Sequence, residues 1–184
     1  MLEQLRMVFF GRLLRQTLAN QRRRRKTHTL ESARTIGILF DATEENDRRE
    51  VLELAHTLEE KRRKKVRLLG FVDNKHPLGQ TQFPQFTQKE LHWNGKPKSE
   101  AVAVFVADPV DLLLCLNKSE VPWINWAAAA SLAAMKIGTA TRAPHDLDMI
   151  LETPAEKGIS YFVKQLDVYL DKIVPSTHEP ASTL

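Results

Sequence analysis

The sequence contains one cysteine, Cys115, in 184 residues, so no disulfide framework can form. That scarcity points to a reducing, cytoplasmic setting. Cys115 sits in the apolar run Val110–Leu116, where a lone thiol acts as a small buried hydrophobe. Long apolar runs are missing too. Nothing approaches the ~20 residues that cross a bilayer, and Glu3, Arg6, Arg12 and Arg15 interrupt the start, which argues against a secretory signal. The seven glycines form neither a G-x-G-x-x-G nor a Walker loop. After the first strand the chain reads Asp41-Ala-Thr-Glu-Glu-Asn46, acidic where a pyrophosphate would rest. The six histidines show no H-E-x-x-H and no His/Cys spacing, so neither a metal nor a cofactor is expected. No G-x-S-x-G elbow is present. No residue earns a catalytic assignment, His92 and His145 being the only acid–base candidates, and a non-enzymatic role is the expectation.

Charge is present in plenty, and unevenly. Residues 1–34 hold nine Lys or Arg against two acids, a balance of +7. The remaining eighteen cations and twenty-one acids leave the rest of the chain at −3. Such asymmetry suggests an anionic partner for the basic end. Its densest part is Arg22, Arg23, Arg24, Arg25 and Lys26, preceded by Arg12 and Arg15; a second run spans Lys61 to Lys65. No aromatics interleave with the first run, which favours contact with a phosphate backbone over base reading. RNA or a ribonucleoprotein such as the ribosome is therefore the first partner expected. An anionic membrane surface is the second, because Leu2, Leu5, Phe9 and Phe10 form an apolar stripe suited to an interfacial helix. A protein partner is the third.

Periodicity sets out the elements. Leu2, Leu5, Phe9 and Leu13 recur at spacings of three and four, predicting a basic N-terminal helix that continues toward Lys26 and projects from the body. Thr35–Phe40 reads as a strand, residues 44–65 as a helix with acids first and cations last, and Val66–Val72 as a second strand. Proline and glycine punctuate 74–97, which reads as a long loop with one short edge strand near Leu91–Trp93. A helix over Ser99–Val106, a buried strand over Val110–Leu116, and a helix over Pro122–Met135 with a smooth alanine face follow. Strands at Lys136–Thr141 and Met149–Glu152 and a helix over Ile159–Ile173 complete the pattern. The expected fold is α/β: three layers around a mostly parallel open sheet of about five strands, Rossmann-like or flavodoxin-like. The expected organisation is a basic helical arm (1–33), an α/β domain (34–174) that folds without the arm, and a disordered tail (175–184).

Ile36-Gly-Ile-Leu-Phe-Asp-Ala42, Leu69-Gly-Phe-Val-Asp73, Lys89-Glu-Leu-His-Trp-Asn-Gly-Lys-Pro97, Asp111-Leu-Leu-Leu114 and Ala133-Ala-Met-Lys-Ile-Gly138 occur in that order. Together they resemble an uncharacterised family of Bacteroidota, a domain of unknown function. The resemblance implies fold, bacterial origin and a cytoplasmic setting, and brings no activity or cofactor. Asp111–Gly138 is also similar to the N-terminal half of heptosyltransferase-like glycosyltransferases, a likeness that sheet physics alone accounts for.

In an open parallel sheet, ligands sit beyond the carboxyl ends of the strands. Those ends carry Asp41 with Thr43, Asp73, and Asn117. Converging there, they would suit a hydroxylated ligand or Mg²⁺; acting locally, the two aspartates cap turns. His92, Trp93 and Lys96 form the most distinctive loop, able to stack a base or sugar and hold an anion, or to anchor itself by a buried Trp. A nucleotide or sugar at this rim, bound or turned over, is the competing functional expectation.

Overall fold

The run Thr35–Asp41 forms strand β1, whose middle five residues are buried because it has strands on both edges and helices on both faces. In the computed structural model, which describes residues 2–74, 77–154, 157–170 and 172, five further strands join it. These are β2 (Lys65–Val72), β3 (Gln85–Thr87), β4 (Leu112–Leu116), β5 (Met135–Gly138) and β6 (Met149–Ile150). Every pairing is parallel and the order is β3-β2-β1-β4-β5-β6. The chain winds outward from β1 to β3, then returns to β4 on the other side of β1. The winding reverses between β1 and β4. The expected sheet of about five strands is thus six among the described residues, all parallel.

Helices α1 (Leu2–Asn20), α2 (Glu45–Glu60), α3 (Glu100–Ala107), α4 (Pro122–Ala130) and α5 (Ile159–Leu170) cover the sheet. Successive strand side chains point to opposite faces, which divides the apolar interior in two. Ile36, Ile38, Leu112 and Leu114 meet Val51 and Leu58 of α2 and Phe162 and Leu166 of α5. Leu39, Leu69 and Leu113 meet Phe10 and Leu14 of α1, Val102 and Phe105 of α3, and Ile124 and Ala127 of α4. Three layers result. The alanines of α4 are almost all buried, letting its backbone lie close to the sheet.

Several boundaries depart from expectation. The edge strand is Gln85–Thr87, paired with Gly70–Val72, and Leu91 forms only an isolated antiparallel bridge to Pro97. Helix α4 stops at Ala130, not Met135. Ser131 turns extended, its hydroxyl accepts the Ala133 amide at 3.2 Å, and Leu132 bonds across to Val106. Helix α1 ends at Asn20, so Arg22–Lys26 lies beyond it and the cationic cluster is not helical. Nor does α1 project. Phe10 and Leu14 are 3% and 1% exposed, and each buried side chain of that size contributes about 1.5–3 kcal/mol. Phe10 meets Trp123 edge-on at 5.1 Å, and Trp126 donates its indole N–H to Thr17 Oγ1 at 3.1 Å. The expected tail, 175–184, lies outside the described residues. No described helix is long and apolar enough to cross a membrane.

Candidate functional site

The rim at the carboxyl ends of the strands is tied together internally. Asp41 Oδ1 accepts from the Thr43 amide at 3.0 Å and the Thr43 hydroxyl at 2.6 Å, an Asx turn. Thr43 Oγ1 accepts in turn from the Asp73 amide at 2.9 Å, and the Asp73 carboxylate accepts from the Gln88 side chain. With Gln88, these side chains join the turns after β1, β2 and β3. Asp41 performs the local capping that competed with a ligand role, while the Asp73 carboxylate holds Gln88 instead of capping the turn that follows it. Asn117, the fourth rim residue, donates to Ser119 O at 2.7 Å while its backbone carbonyl accepts from Thr139 Oγ1 at 3.1 Å. It stands in the wall of a cavity of about 580 Å³ that opens among the turns after β4, β5 and β6 and the start of α5.

The His92–Lys96 loop turns to the α1–α4 layer. Its hairpin is closed by His92 N to Lys96 O (2.8 Å) and Gly95 N to His92 O (2.9 Å). Gly95 has φ +83°, and a methyl group there would overlap the Trp123 ring. Trp93 is 70% exposed and meets Phe9 edge-on at 5.0 Å, so it is not the buried anchor of the loop. Lys96 Nζ lies 5.7 Å from the Trp126 ring centroid. The loop therefore binds α1 and α4 instead of joining Asp41, Asp73 and Asn117.

A buried charge cluster was not foreseen. Lys136, inside β5, is fully buried; its Nζ donates to both Asp146 carboxylate oxygens (3.1 and 2.8 Å) and to Ala129 O (3.3 Å). Arg23, with a side chain 2% exposed, reaches Asp146 at 3.0 Å, Asp148 at 2.8 Å and Ala134 O at 2.8 Å. Burial lowers the Lys136 pKa, opposed by the Asp146 carboxylate. Nearby Cys115 is pushed up to about 12 by burial, an inert thiol. The signal was a lysine between Met135 and Ile137, since a buried ammonium needs a partner. Which acid would supply it, nothing in the sequence names.

The opposite edge of the sheet carries the cations. After α1, residues 21–34 cross the amino ends of the strands. Lys26 N bonds Ala134 O (3.1 Å) just before β5, and the amides of Arg34 and Thr35 donate to Asp111 Oδ2 (2.7 and 2.9 Å) just before β4. Burial disfavours the Asp111 charge, but these amide bonds outweigh it and hold the carboxyl below its usual range. The second basic run arrives at the same edge: Lys65 N bonds Arg34 O (2.9 Å), and Lys64 Nζ bonds Glu31 O (2.7 Å). Arg22, Arg24, Arg25, Lys26, Arg34, Lys61, Arg63 and Lys65 are exposed. Arg25 pairs with Asp148 at 3.3 Å and Arg62 with Asp167 at 2.9 Å. Of the seven cations expected to bind an anion, Arg23 is therefore withdrawn into the body. Arg12 and Arg15 remain exposed on the outer face of α1, beside Leu5 (52%) and Val8 (63%).

Among the described residues no group of three His, Cys, Asp or Glu side chains gathers to hold a metal ion. What the fold and its surface define is an α/β protein of the doubly wound, all-parallel class with a cationic amino edge. The chain belongs to a family of unknown function, DUF6913, whose model matches residues 7–173. No curated protein and no solved structure matches it.

Proposed function

We propose that this protein is a non-enzymatic cytoplasmic docking protein that holds RNA, free or within a ribonucleoprotein, by its phosphates along the amino edge of the sheet. One observation carries the reading: two basic runs some forty residues apart in sequence come to the same edge. Arg22–Lys26 lies beside β5 through Lys26 N–Ala134 O, and Lys61–Lys65 lies at the start of β2, where Lys65 N–Arg34 O and Lys64 Nζ–Glu31 O tie it to the crossing segment. With strands about 4.8 Å apart, the edge from β2 to β5 is about 15 Å long, and the cations beyond each end extend it. The surface is rich in Arg and Lys and poor in aromatics, which suits phosphate contact without base selection. The strand order is that of Rossmann-like sheets, yet the turn after β1 is acidic and internally bonded, so the sheet serves here as a platform and not as a dinucleotide site.

The test is fluorescence anisotropy of the full chain with a labelled single-stranded RNA of mixed sequence. Five phosphate contacts give a slope of log K against log salt of about −3.5. A variant with Arg24, Lys26, Arg63 and Lys65 changed to Glu is expected to lose binding while keeping its circular dichroism. No affinity for RNA at low salt overturns the proposal. So does binding to anionic vesicles alone, lost on changing Leu5 and Val8 to Glu, which would assign the exposed face of α1 to a membrane surface.

A further inference from the structure

We infer that the cavity at the carboxyl ends of β4, β5 and β6 is a binding site for a phosphorylated small metabolite. Its volume, about 580 Å³, falls within the range of small-ligand sites. It also lies at the edge of the sheet where open parallel folds receive ligands. This edge is opposite the cationic one, so the inference stands whether or not RNA is the partner there.

The chemistry follows from which lining groups are free. The floor is apolar, with Leu116, Ile159 and Phe162 buried beneath it. Of the charged groups, Glu120 is occupied. Its Oε1 accepts from Thr141 Oγ1 at 2.7 Å and from the Ala143 amide at 2.9 Å. Burial disfavours its charge, but these bonds prevail and keep the carboxyl below its usual range. Lys118 pairs with the buried carboxylate of Asp47. Glu50 caps the first turn of α5 through the Ser160 amide (2.9 Å) and hydroxyl (3.0 Å), so the helix end is already matched. Glu152, an exposed acid, stands at the lip. That leaves Lys157, which makes no ion pair among the described residues, as the uncommitted cation of the wall. Thr153 adds a buried hydroxyl oxygen with no hydrogen-bond partner among the described residues. A cation and an unpartnered hydroxyl over an apolar floor, in a cavity that Tyr161 also lines, fit a phosphate joined to a sugar or nucleoside.

The experiment is isothermal titration of the full chain, at a salt concentration that screens the amino edge, with AMP, ribose 5-phosphate, inorganic phosphate and adenosine as probes. AMP or ribose 5-phosphate is expected to bind with a Kd near or below ~1 mM, adenosine far more weakly. AMP against ribose 5-phosphate shows whether a base is held, and inorganic phosphate whether the phosphate alone suffices. The K157A variant should weaken binding about tenfold, the order of a charge-assisted hydrogen bond. A140W, at an exposed position on the lip, should block the cavity without altering Tm. The amino-edge Glu variant should bind as the parent does, which keeps this result separate from that of the RNA proposal. No binding of any phosphorylated probe at several millimolar overturns the inference. So do equal affinity for adenosine, and binding that survives both K157A and A140W.

Discussion

Lys136 is fully buried, and the carboxylate that pairs with its ammonium, Asp146, also serves Arg23. Changing Asp146 to Ala leaves two cations buried with one of them, Lys136, holding only the Ala129 carbonyl. The expected loss is about 3–5 kcal/mol, the usual cost of stranding a buried charge, measured as a shifted urea midpoint. Lys136→Met keeps the volume and removes the charge, and should cost clearly less. His28 supplies the pH dependence. Burial lowers its pKa, while the nearby Asp111 carboxylate, 4.0 Å away, opposes that. The folded chain then takes up a proton at lower pH than the unfolded chain, whose imidazole titrates near 6.5. His28 therefore contributes its full stability above about pH 7 and loses it as pH falls through the folded pKa. Tm should decline between pH 7 and 5, and His28→Gln should flatten that decline; an unchanged slope in the variant rules the assignment out. Asp111, Glu50 and Glu120 are held below the usual carboxylate range by hydrogen bonds that outweigh burial. Their contributions persist through this window and are lost only on further acidification. At this scale the capping potential of Asp41 was legible, because it follows from local chemistry, while the burial of Lys136 was not read from its place between Met135 and Ile137. The sequence did not disclose that Arg23 leaves the cationic group, since its partner lies more than 120 residues away.

Among the elements, the end of α2 has an unusual occupant. The helix closes with Lys64 N bonded to Leu58 O at 3.0 Å and Arg63 at φ 54°. That closure favours glycine at the left-handed position, and a residue with a Cβ there costs about 1–2 kcal/mol. The strain retains a cation at the amino edge, a cost in stability set against charge. Arg63→Gly should accordingly raise stability, by up to about 1 kcal/mol, and weaken RNA affinity. A chemical-denaturation curve and an anisotropy titration on the same variant decide it; a variant both less stable and equally tight removes the argument. The strands and helices themselves were legible from periodicity. The exceptions have physical causes: β3 is three residues long and borrows its order from β2, and α4 gives up its last turn so that Ser131–Ala134 can cross to β5.

For the whole molecule, the N-terminal segment through Arg34 is continuous with the interior. Deleting residues 1–26 removes Phe10 and Leu14 from one of the two apolar layers and Arg23 from the Asp146–Asp148 cluster. The expectation of a body that folds without the arm does not fit this packing. The truncated chain should lose cooperative unfolding or fall by more than about 5 kcal/mol, since a buried Phe alone is worth about 3–5 kcal/mol. A calorimetric transition matching that of the full chain would show that α1 is dispensable. Charge reversal at the amino edge, and not truncation, is consequently the clean way to test partner binding.

The fold class and the overall charge asymmetry were determined by the sequence alone. Alternating strand and helix periods and the count of cations are properties of neighbouring residues. Only the tertiary structure decided which cations remain available, that the second basic run shares an edge with the first, and which rim residues line a cavity. Each of those depends on where segments far apart in the chain come to rest, and burial, not residue type, then separates a cation free to bind a phosphate from one bonded inside the protein.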